Sequence, residues 1–455
     1  MRWLLTTCAL VALLASGYGA LGGRSGSVPR TMRPTLEPLH PLKSNPRYFA
    51  DGSGRAVYLT GFHTWSNLVD LGRTQPPERF DYSAYLDQLQ RDGDNLIRLW
   101  AWELPEYRTH DQTWYTDPQP WLRTGPGEAR DGLPRFDLRR LDKRYFDRLR
   151  QRVRAANRRG IYVSVMLFEG WESHGAERPL GWEAHPFAGG NNVNGIAVDQ
   201  AGHGLRFFSG TDSRVLALQR DYVRRVVKAV GRLPNVLFEI TNEADASATP
   251  WQLGMIRFVR HQLARRGVSR PVGMTFEHDG SNERLYAGPA DWVSPGGHVF
   301  LSDPPLADRR KVSLLDTDHL CGVCGDAGFV WEAFTRGYNV LFMDDLTHAP
   351  AHERARVALG QARAVADAVD LGHLEPSTYG CSTRYCLVSS GSQYVVYQPD
   401  DGPFTLALPR RLHLYRLDWL STATGKTANG RIRAGGETKL TPPFAGPVVV
   451  RVSAR

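Results

Sequence analysis

Between residues 57 and 343, short apolar runs alternate with helix-patterned segments, and the alternation repeats eight times. Few folds accept that pattern, because each run needs a parallel neighbour and each helix a sheet face to cover. The runs are Val57–Gly61, Asn95–Trp100, Ile161–Phe168, Val236–Thr241, Pro271–Phe276, Asp291–Ser294, Val312–Asp316 and Asn339–Met343. Helical spacing of apolar residues marks Tyr82–Asp92, Leu138–Arg159 behind an Asp137 cap, and Ser213–Val230 behind Asp212. Further helices are expected at Trp251–Arg266, Val330–Gly337 and about 351–370. The count predicts an α/β fold, a (β/α)8 TIM barrel, over residues 45–372. A doubly wound open sheet would carry a glycine-rich phosphate turn after its first strand. This chain has none, and no cofactor is expected.

After Pro376 the helical period disappears. Val395, Val396, Leu406, Leu408, Leu412, Leu414, Leu417 and Val448–Val450 lie in short runs broken by Gly and Pro. They predict a small C-terminal all-β sandwich over residues 376–455. It is expected to be a packing platform for the barrel, with carbohydrate binding as the alternative. At the other end, Arg2 precedes an apolar stretch from Trp3 to Ala15, then small residues. Residues 1–22 therefore read as a signal peptide, and the mature chain as secreted or periplasmic. No later run is long enough to span a bilayer. Export makes disulfides the default for the two local cysteine pairs, Cys321/Cys324 and Cys381/Cys386. A four-thiol zinc site is disfavoured because the pairs fall in different expected domains, and no metal is assigned. The net charge of +9 is arginine spread along the chain, not a basic face, so nucleic acid is not an expected partner. Twelve Trp and 17 Tyr suit a carbohydrate partner, since sugar rings stack on flat aromatics. Nothing in the chain indicates its oligomeric state.

In such a barrel, chemistry sits at the C-terminal ends of the strands. The fourth run ends Thr241-Asn242-Glu243. A glutamate there can trade protons while Asn242 orients a sugar hydroxyl. The seventh run ends Asp316-Thr317-Asp318-His319, and a period of two puts both aspartates on one face. Hydrolysis of a glycosidic bond uses two carboxyl groups. Glu243 is the expected proton donor; Asp316, which terminates the apolar run, is favoured as its partner over Asp318. Arg98 lies inside an apolar run, where an unpaired charge is costly, so it is expected to hold a carboxylate. Substrate contacts are expected from His63, Trp65, Trp100, Glu169, Trp171, Glu277, His298, His319 and Asp344 at strand ends. The long loop containing His185, Asn191 and Asn192 is read as a hydroxyl-binding loop.

These residues resemble the clan A glycoside hydrolases, retaining barrel enzymes that include cellulases and mannanases. The carriers are Asn242-Glu243 and Arg98. The layout is more similar to the bacterial apiosidase-like barrels, whose C-terminal module bears a collagen-binding name. That similarity rests on Asn45–Phe49 with Asp51-Gly52, on Asp316–His319, on Phe329–Asn339 and Phe342–Asp344, and in the module on Val395–Pro399 and Thr441–Phe444. The resemblance implies a secreted hydrolase of O-glycosidic bonds in a polysaccharide or oligosaccharide. Clan A enzymes carry a glutamate nucleophile after the seventh strand, and this chain offers aspartates there. The alternative is a non-catalytic carbohydrate-binding or surface adhesion protein on a barrel scaffold.

Overall fold

The computed structural model describes residues 36–109, 112–171, 181–198 and 204–454. The expected signal peptide, with Cys8, lies outside them. The described residues fall in one compact unit, 35–455. At its centre stand eight parallel strands: β1 Thr60–His63, β2 Leu96–Leu99, β3 Tyr162–Glu169, β4 Val236–Asn242, β5 Val272–Thr275, β6 Trp292–Ser294, β7 Val312–Asp316 and β8 Asn339–Met343. Their hydrogen-bonded order is β1-β8-β7-β6-β5-β4-β3-β2.

The seam between β1 and β2 is closed at Asn95, whose backbone amide donates to the Thr60 carbonyl at 2.9 Å. Asn95 Oδ1 accepts from the Thr60 amide at 3.0 Å, and its Nδ2 donates to the Tyr58 carbonyl at 2.9 Å. Gly61 is required at this seam, because a Cβ there would lie 1.9 Å from the Leu96 carbonyl oxygen. Two further asparagines work similarly at strand starts. Asn235 donates to the carbonyls of Val153 and Ile161, and Asn339 accepts from the Leu59 amide. A side-chain amide satisfies backbone groups that a strand start leaves open.

Among the described residues, seven α-helices surround the strands: α1 Tyr82–Asp92, α2 Lys143–Asn157, α3 Ser213–Val230, α4 Thr249–Ala264, α5 Asn282–Ala287, α6 Ala327–Thr335 and α7 Pro350–Asp367. Acidic caps set several of the starts. Asp81 accepts from the Ala84 amide, and Asp212 from those of Arg214 and Val215. Two expected boundaries differ: the first run, expected at Val57–Gly61, joins the barrel only from Thr60, because Val57 pairs antiparallel with Phe49. α2 begins at Lys143 behind Asp142, while Pro134–Leu141 is a strand paired with Trp121–Glu128. Phe136 and Leu138 are buried and Asp137 between them is not, so the expected cap Asp137 and first helical residue Leu138 follow a strand's period of two. This hairpin belongs to an insertion after β2 that also includes the strands Glu106–Thr109 and Gln112–Asp117.

The C-terminal residues form eight antiparallel strands: β9 Glu375–Ser377, β10 Cys386–Ser389, β11 Gln393–Gln398, β12 Phe404–Ala407, β13 His413–Ser421, β14 Thr427–Ala434, β15 Glu437–Leu440 and β16 Val448–Ala454. Six make one sheet, ordered β9-β10-β11-β16-β13-β14, and β12 pairs with β15. Their own core gathers Tyr394, Val396, Leu406, Tyr415, Trp419, Leu440, Val450 and Val452. The module meets the barrel at α6. Trp331 stacks on Tyr397 at 6.2 Å between centroids, and the Arg336 guanidinium lies 4.7 Å over Tyr385. Of the two expected disulfides, Cys321–Cys324 is bonded. Cys381 and Cys386 are buried thiols instead. Cys381 Sγ lies 3.2 Å from Thr383 Oγ1, and Cys386 Sγ donates to the Ser377 carbonyl.

Candidate active site

Arg98 organises the mouth of the barrel from β2. Its Nε and Nη2 grip both oxygens of Glu239 on β4 at 2.8 and 2.5 Å. Its Nη1 donates to Asp318 Oδ2 at 2.7 Å and lies 3.5 Å from Asp316 Oδ2, and its Nη2 also donates to Asn242 Oδ1 at 2.6 Å. Trp100 covers the guanidinium at 4.9 Å. Glu239 is fully buried, so the bidentate pair compensates two charges that neither strand could hold alone. Sequence reasoning missed Glu239. The signal was present: two opposite charges, each inside an apolar strand.

The two aspartates after β7 are not equivalent. Asp316 is 2% exposed, and its Oδ1 accepts from His63 Nε2 at 3.0 Å and from the Asp318 amide at 3.1 Å. Burial works against its charge, but His63 and Arg98 outweigh burial and hold the carboxyl well below the ordinary range. Asp318 lies closer to solvent. Burial, with Asp316 adding to it against Arg98, pushes its carboxyl up to about 6. His319 is buried, and desolvation lowers it to about 3, so its ring is neutral at ordinary pH. Asn242 Oδ1 can only accept at its 3.0 Å contact with His319 Nε2; Nε2 therefore carries the hydrogen and Nδ1 accepts from Ser294 Oγ at 2.7 Å.

Asn242 is held on both sides. With its Oδ1 taken by Arg98 and His319, its Nδ2 donates to Glu169 Oε1 at 3.0 Å. Glu169 Oε1 also accepts from the Trp171 amide, and the Glu169 amide donates to Glu103 Oε2, each at 2.9 Å. Glu103 was not anticipated, since it lies beyond the end of β2 in an aromatic stretch, Trp100-Ala-Trp-Glu103. Gly170 allows the ends of β3 and β4 to touch; a Cβ there would lie 2.4 Å from the Asn242 carbonyl oxygen. Directly after β4, half-buried Glu243 has φ +37°, a left-handed conformation rare outside glycine. Such strain is most often retained where a side chain must be aimed.

Several expected contacts face elsewhere. Glu277 accepts from Thr249 Oγ1 and Gln252 Nε2, both at 2.8 Å, and serves the first turns of α4. Asp344 is paired with Arg356 on α7 at 2.8 and 2.5 Å. His185 is fully buried, stacked on Trp182 at 4.2 Å and packed against Phe187 and Phe207. Asn191 and Asn192 spend their side chains on loop backbone, including the carbonyls of His185, Pro186 and Ile196. Their amides build the loop and do not read hydroxyls. Trp100 is 2% exposed, stacked on His63 at 5.5 Å, and is wall packing. Trp65 and Trp171 are half-buried, and His298 is exposed beyond β6. Asp245, His278 and Asp279 come close enough to share a cation, as do Asp344, Asp345 and His352. In the second group Asp344 is already engaged by Arg356.

No family model matches the chain, and no curated protein matches it either. Solved structures do match in fold. A candidate glycoside hydrolase from Bacteroides vulgatus ATCC 8482 superposes with a TM-score of 0.62 at 13% identity, covering 94% of this chain and 84% of its own. A glycoside hydrolase family 5 structure from the same organism gives 0.55 at 10% identity, covering 91% and 93%. A third structure, described as a glycoside hydrolase, gives 0.54 at 12% identity, covering 92% and 97%. The chain is therefore a (β/α)8 barrel with an appended β module, an architecture it shares with these three proteins.

Proposed function

We propose that the protein is a glycoside hydrolase, with Glu243 as general acid/base and Asp318 as the second carboxylate. The observation that carries this reading is the arrangement around Arg98. One guanidinium joins Asn242, the residue beside Glu243, to Asp318, and so ties the ends of β4 and β7 into one site. Asp318 replaces Asp316 as the favoured partner. Asp316 is spent on His63 and the Asp318 amide, whereas Asp318 stands nearer solvent. In this reading Asp316 and His63 keep the β7 end in place. Glu239 keeps Arg98 in place, and Arg98 keeps Asp318 oriented. Asn242 Nδ2 retains a second hydrogen for a sugar hydroxyl. Trp65 and Trp171 are the remaining candidates for ring stacking.

The three glycoside hydrolases that share the fold favour the same class of substrate, a carbohydrate. Residues 1–22 favour export, with the substrate met outside the cytoplasm. The apiosidase-like layout remains our reading of the motifs, and the stacking of the β module on α6 favours a platform over an adhesive role. The test is hydrolysis of a neutral polysaccharide panel, followed by NMR of the first product's anomeric proton. Release of reducing ends from at least one polymer is expected. A chain that binds polymers and never cleaves them would be the carbohydrate-binding alternative.

A further inference from the structure

Behind Asn242 lies an arrangement that two-carboxylate hydrolysis does not require. Glu103 and Glu169 are 1% and 0% exposed, and are linked by the hydrogen bond from the Glu169 amide to Glu103 Oε2. Among the described residues neither is in an ion pair. Glu103 Oε1 and Glu169 Oε2 are buried without hydrogen-bond partners. The groups facing Glu169 are Arg98 on β2, Asp318 beyond β7, and Tyr107 in the insertion. Those facing Glu103 are Tyr145 on α2 and Tyr222 on α3. Arg98 is the one cation among them, and it already serves Glu239, Asp316 and Asp318. Arg98 already answers Glu239 and Asp318 and shares Asp316 with His63, so it cannot also compensate Glu103 and Glu169, and burying an unpaired charge is far costlier than keeping a proton on it.

We propose that Glu103 and Glu169 are a proton-holding pair of positioning residues, with Glu169 acting as a neutral carboxylic acid that fixes the Asn242 amide. The hydrogen bonds divide the labour within the Glu169 carboxyl. Oε1 accepts from Trp171 and Asn242, as a carbonyl oxygen does, so the proton belongs on Oε2. Glu103 sits behind and holds the Glu169 backbone. Burial pushes Glu103 up to about 8 and raises Glu169 well above the ordinary carboxyl range. Ionising Glu169 would place a new charge near Asp318 and tighten its hold on Asn242 at the expense of substrate. The pair therefore gives the site an alkaline limit.

The inference rests on the hydrolase reading, and its test has one arm that does not. In the kinetic arm, Glu169→Ala lowers kcat about 100-fold with little change in KM, and Glu169→Gln, which copies a neutral carboxyl, restores most of it. Glu169→Gln, which cannot ionise, extends activity to higher pH than the wild type. In the second arm, unfolding temperature is followed from pH 5 to 9 without substrate. The unfolded chain releases these protons near the ordinary value of about 4.5, and the folded chain keeps them longer. Stability is therefore full below that value and falls as pH rises through the folded values. Glu103→Gln flattens this fall. Superimposable wild-type and Glu103→Gln curves would overturn the proposal, as would a Glu169→Gln variant as damaged as Glu169→Ala. If no glycan is hydrolysed, the unfolding arm still decides whether the pair holds protons, and the hydrolase reading fails separately.

Discussion

Asp316 and Asp318 share a peptide neighbour and a guanidinium, yet burial and partners push their carboxyls in opposite directions. The difference can be measured. Asp318→Asn is expected to lower kcat by 100-fold or more, on the order of a lost catalytic carboxylate, with little change in unfolding temperature. Asp316→Asn removes the buried charge that His63 and Arg98 face and sets an NH2 donor against the guanidinium, so it lowers activity and costs about 3 kcal/mol of stability, measured by denaturant unfolding. Asp318 also sets an acid limb. Its carboxyl is pushed up to about 6 in the folded protein, and the role proposed for it needs the ionised form. kcat/KM therefore rises with pH through that value and levels above it. Because the folded value is raised, the same group stabilises the fold at low pH and loses that contribution as pH rises through about 6. A pH–rate profile that stays flat between pH 4 and 7 would remove Asp318 from this role.

At the scale of elements, the sequence made the barrel legible where the patterns were local. α1, α3, β7 and β8 fall at their expected bounds because apolar spacing and aspartate caps specify them. The insertion after β2 was not legible. Phe136 and Leu138 fit either period over so short a run, and the partner strand that decides between them, Trp121–Glu128, contains two glycines and a proline. The site was half legible. Strand ends, and for Arg98 a charge inside an apolar run, pointed to Asn242, Arg98, Asp316, Asp318, His63 and His319, which the structure brings together, and to Glu243 beside Asn242. They could not reveal that Glu277 turns to α4 or Asp344 to α7, because rotamers are decided by neighbours distant in sequence. The β1–β2 seam yields a prediction at this scale. Gly61→Ala forces its methyl into the Leu96 carbonyl and parts the strands. A fall of several kcal/mol in unfolding free energy is expected by denaturant titration, larger than for a typical core truncation of about 3 kcal/mol.

At the scale of the whole molecule, barrel and β module form one compact unit, joined where Trp331 and Arg336 meet Tyr397 and Tyr385. Tyr397 is 3% exposed, so Tyr397→Ala is expected to cost about 3 kcal/mol of stability while kcat/KM stays near wild type. A fall in kcat/KM with unchanged stability would instead make the module part of the site. The account as a whole stands on Glu243, strained at the end of β4 beside the amide that Arg98 orients. The most direct test compares purified wild type and Glu243→Gln on the polymer that the wild type cleaves best. A loss of at least 1,000-fold in kcat at unchanged unfolding temperature is expected, the range of a removed general acid. Turnover by Glu243→Gln within about threefold of wild type would contradict the account.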